Sequence, residues 1–284
     1  MSVAGELEPP VTKRARPPRR LLANAREFFA LLGRPPRAVG RPAWRAPASL
    51  ALGALLMLTI IAASMVLIDA PMILAVRASP PWITYLFDEL TGFGTSDWFL
   101  VPIGLALLTI AALATPALPR VTQLVLVAFS VRLGFVFAAI ALPGLFVTVV
   151  KRLIGRARPF VGGEADPFLY LPFGWRPDYA SLPSGHATNV FAALIAVGLV
   201  WPRLRPIMLL YALIIAASRV IVLAHHPSDV IAGAVVGTVG ALMVRDWFAA
   251  RRLGLVMDPR GRVRALPGPS FRRLKRVARQ FGAA

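Results

Sequence analysis

The chain has no cysteine, only three histidines, and 13 acidic residues among 284 positions. Without cysteine there is no disulfide, no thiolate metal site and no cysteine nucleophile. Charged residues of both signs make up 16% of the chain, against about 25% in a soluble globular domain. That shortage excludes a water-soluble fold. In its place are 57% hydrophobic residues and a mean hydropathy of +0.67. Because acids are scarcer than bases, the formal net charge is +19. The basic side chains crowd at the two ends, flanking the apolar segments, which fits an anionic membrane surface and not nucleic acid. The first 48 residues lack the order of charge, short apolar core and cleavage site that marks a signal peptide, so the first span is expected to do the targeting.

Six apolar segments stand out, at 49–69, 98–116, 128–150, 185–202, 205–224 and 228–247. Each is near the ~20 residues that cross a hydrocarbon core. The expected fold is therefore all-α, a polytopic protein of six transmembrane helices over 49–247. Residues 1–48 read as a basic, Pro/Arg-rich and largely disordered cytoplasmic tail, with Leu21–Leu32 able to form a short helix on the membrane. Residues 248–284 read as a second basic tail. Within it, 270–281 sets Phe271, Leu274, Val277 and Phe281 opposite five basic residues, the pattern of an amphipathic helix on anionic lipid or of a solvated charge run. Arg132 is placed near an interface, where its side chain can snorkel. The positive-inside rule puts both ends in the cytoplasm, together with Arg120, Arg203 and Arg205.

That topology puts 151–183 outside, where basic residues should be scarce, yet Lys151, Arg152, Arg156, Arg158 and Arg176 lie there. Lys151 and Arg158, seven apart, would share a face of a continuing helix until Pro159 ends it. Interfacial anchoring is the plain alternative. Next, Pro183-Ser184-Gly185-His186 precedes the fourth span. Ser184 suits an N-cap and Gly185 admits a ligand to backbone N–H groups. An ordinary capped helix start has the same look, but His186 adds nothing to a cap. Third come Ser218-Arg219, His225, His226 and Asp229. Arg219 sits in an apolar helix, where a charge is by default functional. Asp229 can cap the sixth span or orient His225. All three histidines and Lys151, Arg158 and Arg219 thus fall at one membrane face. No residue cluster resembles a complete metal site.

Lys151-x6-Arg158-Pro159, Pro183-Ser184-Gly185-His186 and Ser218-Arg219-x5-His225-x3-Asp229 resemble the three signature motifs of the type 2 phosphatidic acid phosphatase family. The resemblance spans about 85–247, including the turn Leu90-Thr91-Gly92-Phe93-Gly94. His226 stands where an aromatic residue is common in that family. The resemblance implies a six-helix membrane phosphatase acting through a phosphohistidine, with no metal or other cofactor. It implies that His225 is the nucleophile, Asp229 orients it, and His186 protonates the leaving oxygen and then activates water. Lys151, Arg158, Arg219 and the backbone at Ser184 and Gly185 would hold the phosphate. Histidines near neutral pKa and arginine forks suit that chemistry.

The implied partner is a lipid phosphate: polyprenyl diphosphate, phosphatidic acid, phosphatidylglycerol phosphate or a lipid A-type phosphate. Polyprenyl diphosphate or a general lipid phosphate ranks first at this point. Abundant Arg, Ala, Gly and Pro suggest a GC-rich bacterial genome, and so an inner membrane. A lipid phosphotransferase using the same site, or a non-catalytic anion- or lipid-binding protein, are the competing readings.

Overall fold

The computed structural model describes residues 17–37, 46–258 and 260–282. Ten helices occur among them. They are α1 (Pro17–Leu32), α2 (Pro47–Leu67), α3 (Asp69–Arg77), α4 (Pro81–Thr91) and α5 (Asp97–Leu113), then α6 (Arg120–Ile154), α7 (Gly185–Val200), α8 (Arg205–Ile221), α9 (Pro227–Ala250) and α10 (Phe271–Gly282). Among the described residues the helices are joined by an antiparallel hairpin, β1 (Leu255–Met257) with β2 (Val263–Ala265), and a single β-bridge between Arg156 and Tyr170. Five stretches among the described residues are long and apolar enough to cross a bilayer: Pro47–Leu67, Pro81–Leu113, Arg120–Ile154, Pro202–Ile221 and Pro227–Ala250. The segment expected at 185–202 is the helix α7, which at 16 residues is shorter than these.

Helix α7 is the axis of the bundle and packs against α6, α8 and α9. Its small residues make this possible. Ala192, Ala193 and Ala196 are fully buried, with Phe135, Ala139 and Ile140 of α6 and Phe248 of α9 in the same cluster. Where α9 crosses α7, a side chain on Gly233 would strike the carbonyl of Ser184, and one on Gly237 would strike the carbonyl of Thr188. In an apolar solvent, close packing of small residues replaces the hydrophobic effect as the force between helices. Helices α2 and α5 lie at the periphery, where α2 buries only Ser64 and α5 buries nothing. A helix that is apolar all round and still exposed is built to face lipid.

Several expectations are revised. The third span belongs to a 35-residue helix, α6, about 52 Å long. It ends at Gly155 and not at Pro159. Gly155 has φ +65°, and any Cβ there would collide with the Leu171 carbonyl, so the chain turns out of the helix where only glycine fits. Lys151 and Arg158 therefore do not share a helical face. Arg132 does not snorkel: it is buried, donating to the carbonyls of Ala128 (2.6 Å) and Leu266 (2.7 Å). It thereby ties the C-terminal segment to α6. Residues 1–16 of the expected N-terminal tail lie outside the described residues. Beyond them, α1 packs on α5, where the Asn24 amide donates to the carbonyls of Ala111 (2.8 Å) and Ala114 (2.9 Å). Those acceptors are end-of-helix carbonyls that α5 cannot satisfy itself.

Candidate active site

Three segments meet at one end of the bundle. The first leaves α6 at Gly155 and folds back on itself. Ala157 donates to Leu169 O (2.9 Å), Leu171 to Gly155 O (2.7 Å), Arg158 to Asp178 O (2.8 Å) and Ser181 to Arg156 O (3.1 Å). This short ladder holds Arg156 inward. The second segment is Ser184 and the start of α7, pinned to α9 by the Ser184 N–H bonding to Asp229 O at 2.9 Å. The third is the α8–α9 turn, where Leu223 takes φ +54° and the N–H groups of Ala224 and His225 both return to Arg219 O. A non-glycine residue in that region is strained and is held by its surroundings.

These segments gather all eight residues singled out in the sequence. His186 lies within electrostatic reach of Arg219, His225, Lys151 and Arg158. His225 in turn feels Asp229, Arg219 and Arg158. Ser184 is fully buried and stands at the N-cap position of α7, but its hydroxyl makes no cap bond. Arg158 Nε, Arg219 Nε and Ser184 Oγ are all buried with no hydrogen-bond partner in the protein. Buried donors are rarely left so, and each orphan costs about 1–3 kcal/mol. Three of them, from three segments that converge, make a cradle for an oxyanion. Gly185 opens α7 with no atom close to where a side chain would begin.

Asp229 caps α9 and stands behind His225. Its Oδ2 accepts from the His226 N–H (2.8 Å) and from Ser181 Oγ (2.6 Å), and its Oδ1 takes Arg156 Nη1 (2.6 Å). His225 Nδ1 is 3.8 Å from Oδ2, too long for a hydrogen bond. Ser181 Oγ stands between them, 3.4 Å from the same nitrogen. Nδ1 thus faces Ser181 and Asp229, which leaves Nε2 as the nitrogen able to attack. Burial pushes the His225 imidazole below its ordinary range, with Asp229 pulling the other way. A nucleophilic imidazole must be neutral, so burial favours the reactive form.

Behind the site lies a network that sequence reading did not single out. Arg156, fully buried, also pairs with Asp69 Oδ2 at 2.7 Å. Asp69 accepts from the Ser228 N–H (2.9 Å) and hydroxyl. One guanidinium therefore bridges two buried carboxylates, at the start of α3 and the start of α9. Thr91, in the Leu90–Gly94 turn, accepts from Arg219 and Ser218. In the same turn a Cβ on Gly94 would come within 2.8 Å of the His186 ring. Asp69 carried a signal, an ionisable residue at the edge of an apolar run. Thr91 lay in a turn that was already noticed. Ser181 carried no signal at all. Among the described residues no cluster of three or more His, Asp or Glu side chains is placed to hold a metal ion.

The PAP2 superfamily matches residues 132–253, a stretch that contains all eight residues. The lipid A 1-phosphatase of Rhizobium johnstonii is 33% identical over 241 residues, covering 83% of this chain and 95% of that protein. The decaprenylphosphoryl-5-phosphoribose phosphatase of Mycobacterium tuberculosis is 35% identical over 137 residues, covering 48% of this chain and 68% of its own. The crystal structure of Aquifex aeolicus LpxE aligns with a TM-score of 0.45 at 21% identity, covering 62% of this chain and 93% of that one. Identity sustained over nearly the whole of the Rhizobium protein, together with the apolar helices, places this multi-pass membrane protein in the PAP2 superfamily.

Proposed function

We propose that the protein is a lipid phosphate phosphatase working through a phosphohistidine on His225. The observation that carries the mechanism is the set of orphaned buried donors, Arg158 Nε, Arg219 Nε and Ser184 Oγ, beside two histidines. His225 Nε2 attacks phosphorus and forms a P–N bond as the lipid oxygen leaves. His186 gives that oxygen its proton. A water then loses a proton to His186 and attacks phosphorus, so the P–N bond breaks and inorganic phosphate departs. Lys151, Arg158 and Arg219 neutralise the phosphoryl oxygens throughout, and the Gly185 backbone lets them approach. Positioning and charge neutralisation are what phosphoryl transfer chiefly needs. No step requires a metal: the cradle is lined by two guanidiniums and a hydroxyl, and both buried carboxylates are already held by Arg156.

The substrate class follows from the relatives. The Rhizobium protein is named for the 1-phosphate of lipid A, and its similarity runs nearly end to end. That moves a glycolipid phosphate of the lipid A type ahead of polyprenyl diphosphate. We place all six apolar helices across the membrane, the short α7 enclosed by α6, α8 and α9. The catalytic end faces outward from a bacterial inner membrane, with both termini and their basic residues on anionic cytoplasmic lipid.

The test is the purified protein in detergent with a panel of lipid phosphates, with and without EDTA. Phosphate should be released fastest from lipid A 1-phosphate, undiminished by EDTA, abolished in His225→Ala and severely reduced in His186→Ala. Full activity in His225→Ala would sink the mechanism. Loss of activity with EDTA would remove its metal-free character, and release only with an added acceptor would make the protein a phosphotransferase.

A further inference from the structure

We infer that the protein holds one anionic glycerophospholipid in a groove at the end of the bundle opposite the catalytic site. The groove, about 600 Å³, runs between the first turns of α6 and the segment that leads into α10, a size within the range of small-molecule sites. Val121, Leu124 and Ala128 form its apolar wall, Pro267 its far side, and Arg273 and Arg276 its charged end. Spacings of three and four put that wall on one face of α6 over about two turns. Val121 and Leu124 are 65% and 61% exposed, so this apolar face is left uncovered by the protein. From Ala128 to Lys151 is 23 residues along α6, about 35 Å, more than the ~30 Å of a hydrocarbon core. The groove therefore lies at head-group depth in the other leaflet, out of reach of the reaction.

The two arginines are not on a loose tail. Val277 is buried, and with Leu274 it packs α10 onto Val125 and Leu126 of α6. Just upstream, Arg132 clamps the Leu266 carbonyl. Arg273 and Arg276, both exposed, line the groove on a helix whose buried side anchors it to α6. The two stretches that build the groove carry no acidic residue, from Pro119 to Ala128 or from Pro259 to Ala284. Apolar wall below and paired cations above are the complement of one acyl chain with an anionic phosphate head. This reading stands apart from the phosphatase assignment and uses none of its residues.

Native mass spectrometry of the full chain in mild detergent tests it, with phosphatidylglycerol, phosphatidylcholine or a lipid A-type phosphate added. One phosphatidylglycerol per protein should be retained where phosphatidylcholine is not. The Arg273→Ala/Arg276→Ala protein should bind it roughly thirtyfold more weakly. Ala128→Trp, which fills the trough and leaves every charge, should lose it too, while hydrolysis in detergent stays at the wild-type rate and shows that the protein is folded. Arg272→Ala/Lys275→Ala, on the same helix but outside the groove lining, should bind normally. Equal retention of the zwitterionic lipid, preferential retention of the glycolipid phosphate that the Arg273→Ala/Arg276→Ala change abolishes, or an equal loss in the Arg272/Lys275 control would overturn the proposal.

Discussion

Asp229 shows how much one carboxylate is asked to do. It caps α9 through the His226 N–H, takes Arg156 on one oxygen and Ser181 on the other, and reaches His225 only through that serine. Ser181→Ala should therefore slow phosphohistidine formation roughly ten- to hundredfold, the worth of a hydrogen bond to a charged group. KM should barely change, and Ser181→Thr should recover part of the rate. A rate within twofold of wild type would show that His225 needs no serine. The imidazole itself, lowered from its ordinary range by burial, should be neutral at pH 6.5. Nitrogen NMR of labelled histidine in micelles reads this directly, and protonation of His225 above that pH would contradict the burial. The sign for stability follows. A histidine whose folded pKa is depressed contributes stability that is complete above its unfolded pKa of about 6.5 and is lost as pH falls. Of the eight residues gathered here, Arg219, Lys151, Arg158 and His186 stood out because each broke a rule of its setting, a charge where none belongs or a histidine at a cap, and the others stood out through the motifs that contain them. Ser181 broke none. A serine in a polar loop looks the same whether or not it carries a proton to an aspartate, and only the fold of 155–183 tells the difference.

The contact between α7 and α9 rests on the absence of side chains. Gly237→Leu would drive a branched chain into the Thr188 carbonyl, and overpacking of this kind costs about 1–3 kcal/mol or more. Because Thr188 lies one turn from the site, we expect lost thermal stability in detergent and lost activity together; an unchanged melting temperature would show that α9 can shift aside. At this scale the sequence was readable where apolar length was the signal. Each of the six segments expected is a helix with ends within a few residues, except that α6 extends well past its span. Helices α3 and α4 escaped notice, being 9 and 11 residues long, too short to separate from the loops around them. The β hairpin was hidden because a basic segment with Pro and Gly reads as loop. The stop at Gly155 was hidden too, since what forbids a side chain there is the Leu171 carbonyl, which approaches only after the loop folds back.

For the molecule as a whole, the placement of charge makes the strongest statement. Arg120, Arg203, Arg205 and α10 lie at the end of the bundle away from Lys151 and Arg158. Protease added to inverted vesicles should remove the C-terminal tail, and protease added to intact cells from outside should not; the reverse pattern would invert the topology. The global arrangement was less legible than the spans. Composition and motifs brought three clusters to one face, but not the buried bridge behind them, because it depends on Asp69, which belongs to none of the motifs. That bridge joins residues far apart in the chain. Asp69 meets Arg156 across 87 positions and Ser228 across 159. Protein chains are made from the N-terminus, so these distances are also intervals of time. Asp69 leaves the ribosome with no cation to answer it, and Arg156 follows long afterwards. The second carboxylate, Asp229, arrives only once α8 has been made. Asn24 likewise waits for the end of α5 before its amide has anything to hold. The catalytic face therefore cannot close until α9 has begun to emerge, and a chain halted before α9 is a set of inserted helices with an unanswered charge at one end.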